Sequence, residues 1–195
     1  MKPVRILLIH QFYVDNQDGG GVRWNEFSKL WVEKGHTVTI LTGISHYMTH
    51  QAFASGSEVN ANGVNIIRTG IRTGFRGLDQ NRLWQYGSFV IASIWSGIFH
   101  CKEQYDILIV TSPPLSVGLS GIILSWWKRI PYVAEIRDLW PESAVDMGIL
   151  KNAAWIYLAV QLEKAFYHFA HKVIVLTPAF QYFLIQNKNL KCDKL

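Results

Sequence analysis

Cysteine is scarce: Cys101 and Cys192 are the only two in 195 residues, and they stand far apart with no CxxC pair and no Cys/His cluster. That spacing excludes a disulfide-stapled scaffold and a structural zinc site, and it fits reduced thiols in the cytosol. Charge is sparse as well. Charged residues make up 17% of the chain and hydrophobic ones 49%, against a usual charged share of about 25%. This composition excludes intrinsic disorder and implies contact with something apolar, a membrane surface being the first candidate. A secretory leader is also lacking, because only residues 6–9 are apolar before His10 and Gln11, so the cytoplasmic side is expected. Neither a GxSxG elbow nor a Walker loop occurs, which leaves serine hydrolase and P-loop readings nothing to rest on. Internal repeats and low-complexity tracts are absent from the sequence.

What is present begins with a basic balance: 19 bases against 14 acids give a net charge of +5. A surplus of that sign favours phosphorylated ligands, anionic lipid or nucleic acid. Nucleic acid is not expected, because the basic residues are not interleaved with aromatics in a recognition motif. Short apolar runs rich in β-branched residues recur at 4–9, 37–42, 64–68, 107–111, 132–136 and 173–176, and read as buried strands. Helical patterns lie between most of them, at 22–34, 83–100, 115–127, 153–169 and 179–186. Continuous rather than alternating hydrophobicity in the strands is what a parallel sheet covered on both faces requires. The expected fold is therefore α/β, a Rossmann-like doubly wound parallel sheet in one domain spanning residues 1–195. Residues 43–62 have no period and read as a long loop after the second strand.

Two helices bear on function. In 153–169, Trp155, Leu158, Leu162, Phe166 and Phe169 recur at three and four and predict the buried face, with Glu163 and Lys164 outside it. In 83–99 apolar residues nearly encircle the axis, leaving a thin stripe of Gln85, Ser88, Ala92, Ser96 and His100, with Arg72, Arg76 and Arg82 just before it. Such a helix suits either a bilayer interface or a buried position in the core. A spanning helix is not expected, since it would put neighbouring strands of one sheet on opposite sides of a membrane.

Three clusters could carry chemistry. The turn Gly19-Gly20-Gly21 opens a helix after the first strand and would let backbone N–H groups approach a phosphate. It is not the dinucleotide fingerprint: Trp24 stands where the third glycine belongs, and the second strand ends Leu41-Thr42-Gly43 without an acid for a ribose. Glu135, Arg137, Asp138 and Glu142 fall within eight residues at the carboxyl end of a predicted strand, where open α/β sheets place their ligands. Period-two alternation puts Glu135 and Arg137 on one side, so a local ion pair between them is the plainer alternative. Thr111 and Ser112 follow another strand and could hold a polar ligand group, unless Ser112 merely caps a helix. His46 and His50 lie four apart in the aperiodic loop with no third ligand nearby, so no metal is expected.

The segments GGGVRWNEFSKLWVEKGHTVTILTG, TSPPLSVGLSG, RIPYVAEIRDLWPESAVDMGILKN and VIVLTPAF, in that order, resemble the N-terminal half of family 4 glycosyltransferases. The likeness is to the bacterial surface-polysaccharide branch, of colanic acid or O-antigen type, and RDLWPES is its most telling part. The resemblance implies a GT-B architecture in which this domain binds the acceptor and a C-terminal domain, expected to be absent from this chain, binds most of the nucleotide-sugar. It implies a retaining, metal-independent reaction with a nucleotide-diphosphate sugar as donor and no cofactor. The acceptor would be an oligosaccharide or a polyprenyl-diphosphate-linked sugar at the inner face of the plasma membrane. Gly19, Gly20 and Gly21 would then approach the donor diphosphate. Asp138 and Arg137 would lie near the reacting hydroxyl, and Glu135, Glu142, Thr111 and Ser112 would contact the acceptor. Many family members have histidine where this chain has Arg137, so a histidine role does not carry over, and Asp138 is the preferred base or hydroxyl orienter. Alone, the chain is expected to be inactive. The alternative is a non-catalytic membrane-recruitment or acceptor-binding subunit that works with a separate catalytic chain.

Overall fold

The computed structural model describes residues 2–14, 22–44, 53–70 and 80–195, with the main chain only at 80–83. Seven strands form one sheet: β1 (Arg5–Ile9), β2 (Thr37–Gly43), β3 (Gly56–Val59), β4 (Asn65–Thr69), β5 (Ile107–Ser112), β6 (Tyr132–Ile136) and β7 (Lys172–Val175). Their order across the sheet is β3-β4-β2-β1-β5-β6-β7, and every pairing is parallel except β3 with β4. Leaving out β3, this is the Rossmann order with its reversal between β1 and β5, the place where such sheets bind ligands. All six predicted strands are present, and the fold is the expected doubly wound α/β domain.

Helices cover both faces of the parallel part, which is why its strands are mainly apolar. Helix α1 (Val22–Glu33) packs Trp24 against Ile6, Leu8, Val38 and Ile40 on one face. Helices α2 (Gln80–Phe99), α3 (Val117–Lys128) and α5 (Ala153–Phe169) cover the other, over Leu7, Ile9, Val110 and Ala134. A short α4 (Glu142–Asp146) and a final α6 (Pro178–Lys188) complete the chain, with a 3-10 turn at Cys192–Lys194. Local signals start the later helices. The Asn152 side chain accepts the N–H groups of Ala154 and Trp155, and Thr177 accepts that of Phe180 ahead of Pro178.

Three expectations need correction. The loop at 43–62 contains strand β3, which is wholly exposed and polar at the sheet edge and so carries no apolar pattern. It is held by its ladder to β4 and by Glu58, whose carboxylate accepts from Arg68 Nε at 3.0 Å. In α5, Trp155, Leu158 and Phe169 are exposed, while Glu163 is buried beside Phe166 and Tyr167. Lys188 of α6 donates to Glu163 Oε2 at 2.6 Å, which compensates the charge of a carboxylate that the sequence places outside the core. Ser112 ends β5 rather than capping α3, and the residue before α3, Ser116, makes no side-chain cap.

The α2 helix packs with its small polar residues inward. Ser88, Ser93 and Ser96 are buried; Ser93 Oγ lies 2.8 Å from Ser120 Oγ of α3, and Ser96 donates to Thr69 Oγ1 at 2.8 Å. Trp84, Ile91, Trp95 and Phe99 point outward, Ile91 being 69% exposed. Small residues also bring α3 close to its neighbours. A Cβ built on Gly121 would lie 2.6 Å from Val110 Cγ2, and one on Gly97 would lie 2.4 Å from Leu124 Cδ1. Among the described residues, no helix is long and apolar enough to cross a membrane.

Val110 is fully buried in the middle of the sheet and stiff about its single rotatable bond, so it cannot yield to a new methyl at 121. Gly121→Ala is expected to lower stability by about 1–3 kcal/mol. Gly87→Ala, with open space around its Cβ on the exposed side of α2, is expected to raise it by up to about 1 kcal/mol. Urea unfolding of the two variants beside the parent checks both signs.

Candidate functional site

The carboxyl ends of β1, β5 and β6 lie side by side. The register sets Ile9 opposite Val110 and Thr111 opposite Glu135, so His10, Thr111 and Glu135 form one row across three strands. Paired residues in neighbouring parallel strands share a face, and here it is the face covered by α1. Glu135 is 1% exposed, yet both of its oxygens are satisfied. Arg23, in the first turn of α1, donates from Nε to Oε1 at 2.7 Å, and Thr111 donates from Oγ1 to Oε2 at 2.7 Å. The ion pair weighed for Glu135 therefore forms with Arg23, more than a hundred residues away in sequence, instead of with its neighbour Arg137.

Arg137 follows β6 by one residue, and its backbone N–H continues the ladder by donating to Ser112 O at 3.0 Å. Its Nε is buried and has no hydrogen-bond partner. His10 is 6% exposed and its Nδ1 is likewise without a partner. Burial, reinforced by the positive charge of Arg137, lowers the imidazole pKa to about 3. Next to them Asp138 is half-buried, with Oδ2 accepting from Ser143 Oγ at 3.1 Å. Gln11 is buried with its Oε1 unpartnered and lines a small depression with Phe12, Thr69, Gln85, Ser88 and Phe89.

Glu142 belongs to a different set of contacts. Its Oε1 accepts from Lys188, which also holds Glu163. Burial opposes the Lys188 ammonium, but hydrogen bonds to both carboxylates outweigh it and raise its pKa. Burial raises the Glu163 pKa more than the same lysine lowers it. The triad ties α4, and with it the Asp138 loop, to α5 and α6. Gly19, Gly20, Gly21, Arg72, Arg76, His46 and His50 lie outside the described residues, and nothing is said of the Arg82 side chain. Among the described residues there is no cluster of three or more His, Cys, Asp or Glu able to hold a metal ion.

Thr111, Glu135, Arg137 and Asp138 therefore meet at one end of the sheet, and the helix that begins at Val22 delivers Arg23 to the same place. Residues 18–193 match the family model described as glycosyl transferase 4-like domain. The chain belongs to that family. No curated protein matches it. For a glycosyltransferase 4-like domain, the chemistry to be served is glycosyl transfer, and the assembled residues can orient a hydroxyl and balance negative charge. Two participants escaped the sequence reading. Arg23 stands four residues after Gly19, where only the glycines drew notice, and His10 looked like the mere end of an apolar run.

The depressed His10 pKa makes stability depend on pH. The folded imidazole stays neutral down to about pH 3, whereas the unfolded one takes a proton below its ordinary value of 6.5. Stability from this group is therefore complete above pH 6.5 and is lost as the pH falls toward 3. Lowering the pH from 7 to 5 is expected to remove about 2 kcal/mol through His10 alone. Urea unfolding at both pH values checks this: the difference should shrink by that amount in His10→Gln.

Proposed function

We propose that residues 1–195 are the N-terminal, acceptor-binding half of a two-domain GT-B glycosyltransferase. The enzyme moves a sugar, with retention of configuration, from a nucleotide-diphosphate sugar to a lipid-linked or oligosaccharide acceptor in capsule, O-antigen or exopolysaccharide synthesis. The observation that carries this reading is the family match combined with Asp138 and Arg137 at the carboxyl edge of the sheet, beside the strand-order reversal. In it, Asp138 orients the acceptor hydroxyl or takes its proton, with Ser143 fixing the carboxylate. The glycine turn at 19–21 and the amino end of α1 approach the departing diphosphate from across the cleft and stabilise its charge. The remaining donor contacts come from a C-terminal domain or partner subunit. Holding the two substrates in register is this domain's main contribution to rate.

Transfer of labelled sugar in the native enzyme tests the assignment. Asp138→Ala and Gly20→Val are each expected to lower the rate by at least 100-fold with folding intact. An unchanged rate in both would overturn the site. Binding of polyprenyl-diphosphate sugar with no transfer by the native protein would favour the recruitment subunit instead.

The same reading puts the domain on the inner membrane surface as a peripheral protein. Support comes from the outer side of the helical layer, where Trp84, Ile91, Trp95 and Phe99 of α2 and Trp126 and Trp127 of α3 are exposed. Aromatics of this size at a surface, with Lys128 and Arg129 closing α3, suit a headgroup boundary. Vesicle sedimentation is expected to show stronger binding to phosphatidylglycerol than to phosphatidylcholine, reduced several-fold in Trp95→Glu. Equal binding to both vesicle types would remove the electrostatic part of the argument.

A further inference from the structure

On the α1 face of the sheet, one of two neighbouring guanidinium groups is paired with a carboxylate. Arg23 is bound through Nε to Glu135, and Arg137 lies two residues beyond Glu135 on the same side, roughly 7 Å along the strand direction. Glu135 neutralises Arg23. Among the described residues no carboxylate lies within ion-pairing distance of Arg137, because the ion pairs there use Arg5, Arg23, Arg68 and Lys188. Asp138, its neighbour in sequence, receives Ser143 instead. Arg137 is thus the guanidinium of the two that no carboxylate contacts.

The Arg137 side chain is partly withdrawn from water. The Arg137 Nε is buried without an acceptor, and His10 Nδ1, 6% exposed in residue terms, is buried without a partner as well. The charged Arg137 N–H left without an acceptor is costly, and with the His10 Nδ1 beside it there are two polar orphans at the ligand-binding edge of the sheet that call for an explanation. A ligand that accepts hydrogen bonds and carries negative charge supplies it.

We propose that Arg137, with His10 and the Glu135-held Arg23 beside it, is a seat for an oxyanion borne by the substrate. The planar guanidinium fork matches the two oxygens of a phosphoryl or a carboxylate group. Glu135 fixes the direction of Arg23 and neutralises it, which leaves the fork of Arg137 for the ligand. The neutral His10 adds no competing cation. The inference rests on the transferase reading only for the source of the oxyanion, either a phosphoryl of a diphosphate-linked substrate or the carboxylate of an acidic sugar. Binding itself does not depend on that reading.

The test is a titration of the purified protein at constant ionic strength with sodium pyrophosphate, sodium glucuronate and, as the uncharged comparison, glucose. Calorimetry gives the affinity and 15N NMR follows the Arg137 Nε and His10 ring signals. Pyrophosphate or glucuronate should bind and move both signals, glucose should do neither, and whichever anion binds more tightly identifies the source. Arg137→Gln should weaken anion binding at least tenfold, and Arg137→Lys, which keeps the charge but not the fork, should fall between. Absence of anion binding, an affinity unchanged in Arg137→Gln, or binding that leaves the Arg137 Nε signal in place would each overturn the seat. The NMR arm decides on the parent protein, even if Arg137→Gln does not fold. Anion binding by a native enzyme that transfers no sugar would sink the transferase reading and leave the seat standing. Transfer without anion binding would do the reverse.

Discussion

A carboxylate removed from water at the edge of a parallel sheet has to be answered on both oxygens, and Glu135 is answered from two directions. Arg23 reaches it from α1 and Thr111 from β5, so one side chain ties the first helix to two strands of the second half of the sheet. Withdrawing one partner from such a group leaves a buried, incompletely compensated charge, which is far worse than never having buried the pair. The relative placement of α1, β5 and β6 follows from this contact. With it are fixed the helix start after residues 19–21, the Arg137 side chain one step beyond, and the loop that carries Asp138.

The helical layer on the opposite face obeys a different constraint. Serine and glycine face inward because the backbones of α2 and α3 approach closely, as the Ser93–Ser120 contact and the absence of room beside Gly97 and Gly121 require. Bulky residues are thereby displaced to the outside, where Trp84, Trp95, Trp126 and Trp127 stand exposed. The same physics explains why the amphipathic pattern misleads for α5. Of its predicted stripe Trp155, Leu158 and Phe169 are outside and Phe166 is fully buried, while Glu163 is inside beside Lys188.

How much was legible follows from these cases. The six parallel strands were readable because a doubly covered strand is apolar at every position, a local property. Strand β3 was not, because an exposed edge strand of sequence Gly-Ser-Glu-Val has no apolar face to display. At the site, Thr111, Glu135, Arg137 and Asp138 could be named from their position after strands. Their partners could not, since the Glu135 contacts span 112 and 24 residues and those of Lys188 with Glu142 and Glu163 span 46 and 25.

By itself, the sequence determined the order and type of the six parallel strands and the longer helices between them, the doubly wound sheet they imply, and the membership signalled by its motifs. These depend on local hydrophobic runs, turn formers and spacing, all of which are written along the chain. The tertiary structure alone decided which charges cancel: that Glu135 takes Arg23, that Lys188 takes Glu142 and Glu163, and that Arg137 is left over beside a neutral His10. It also decided which side of α2 and α5 is buried. Both depend on distances between residues remote in sequence, and electrostatics and packing act through space.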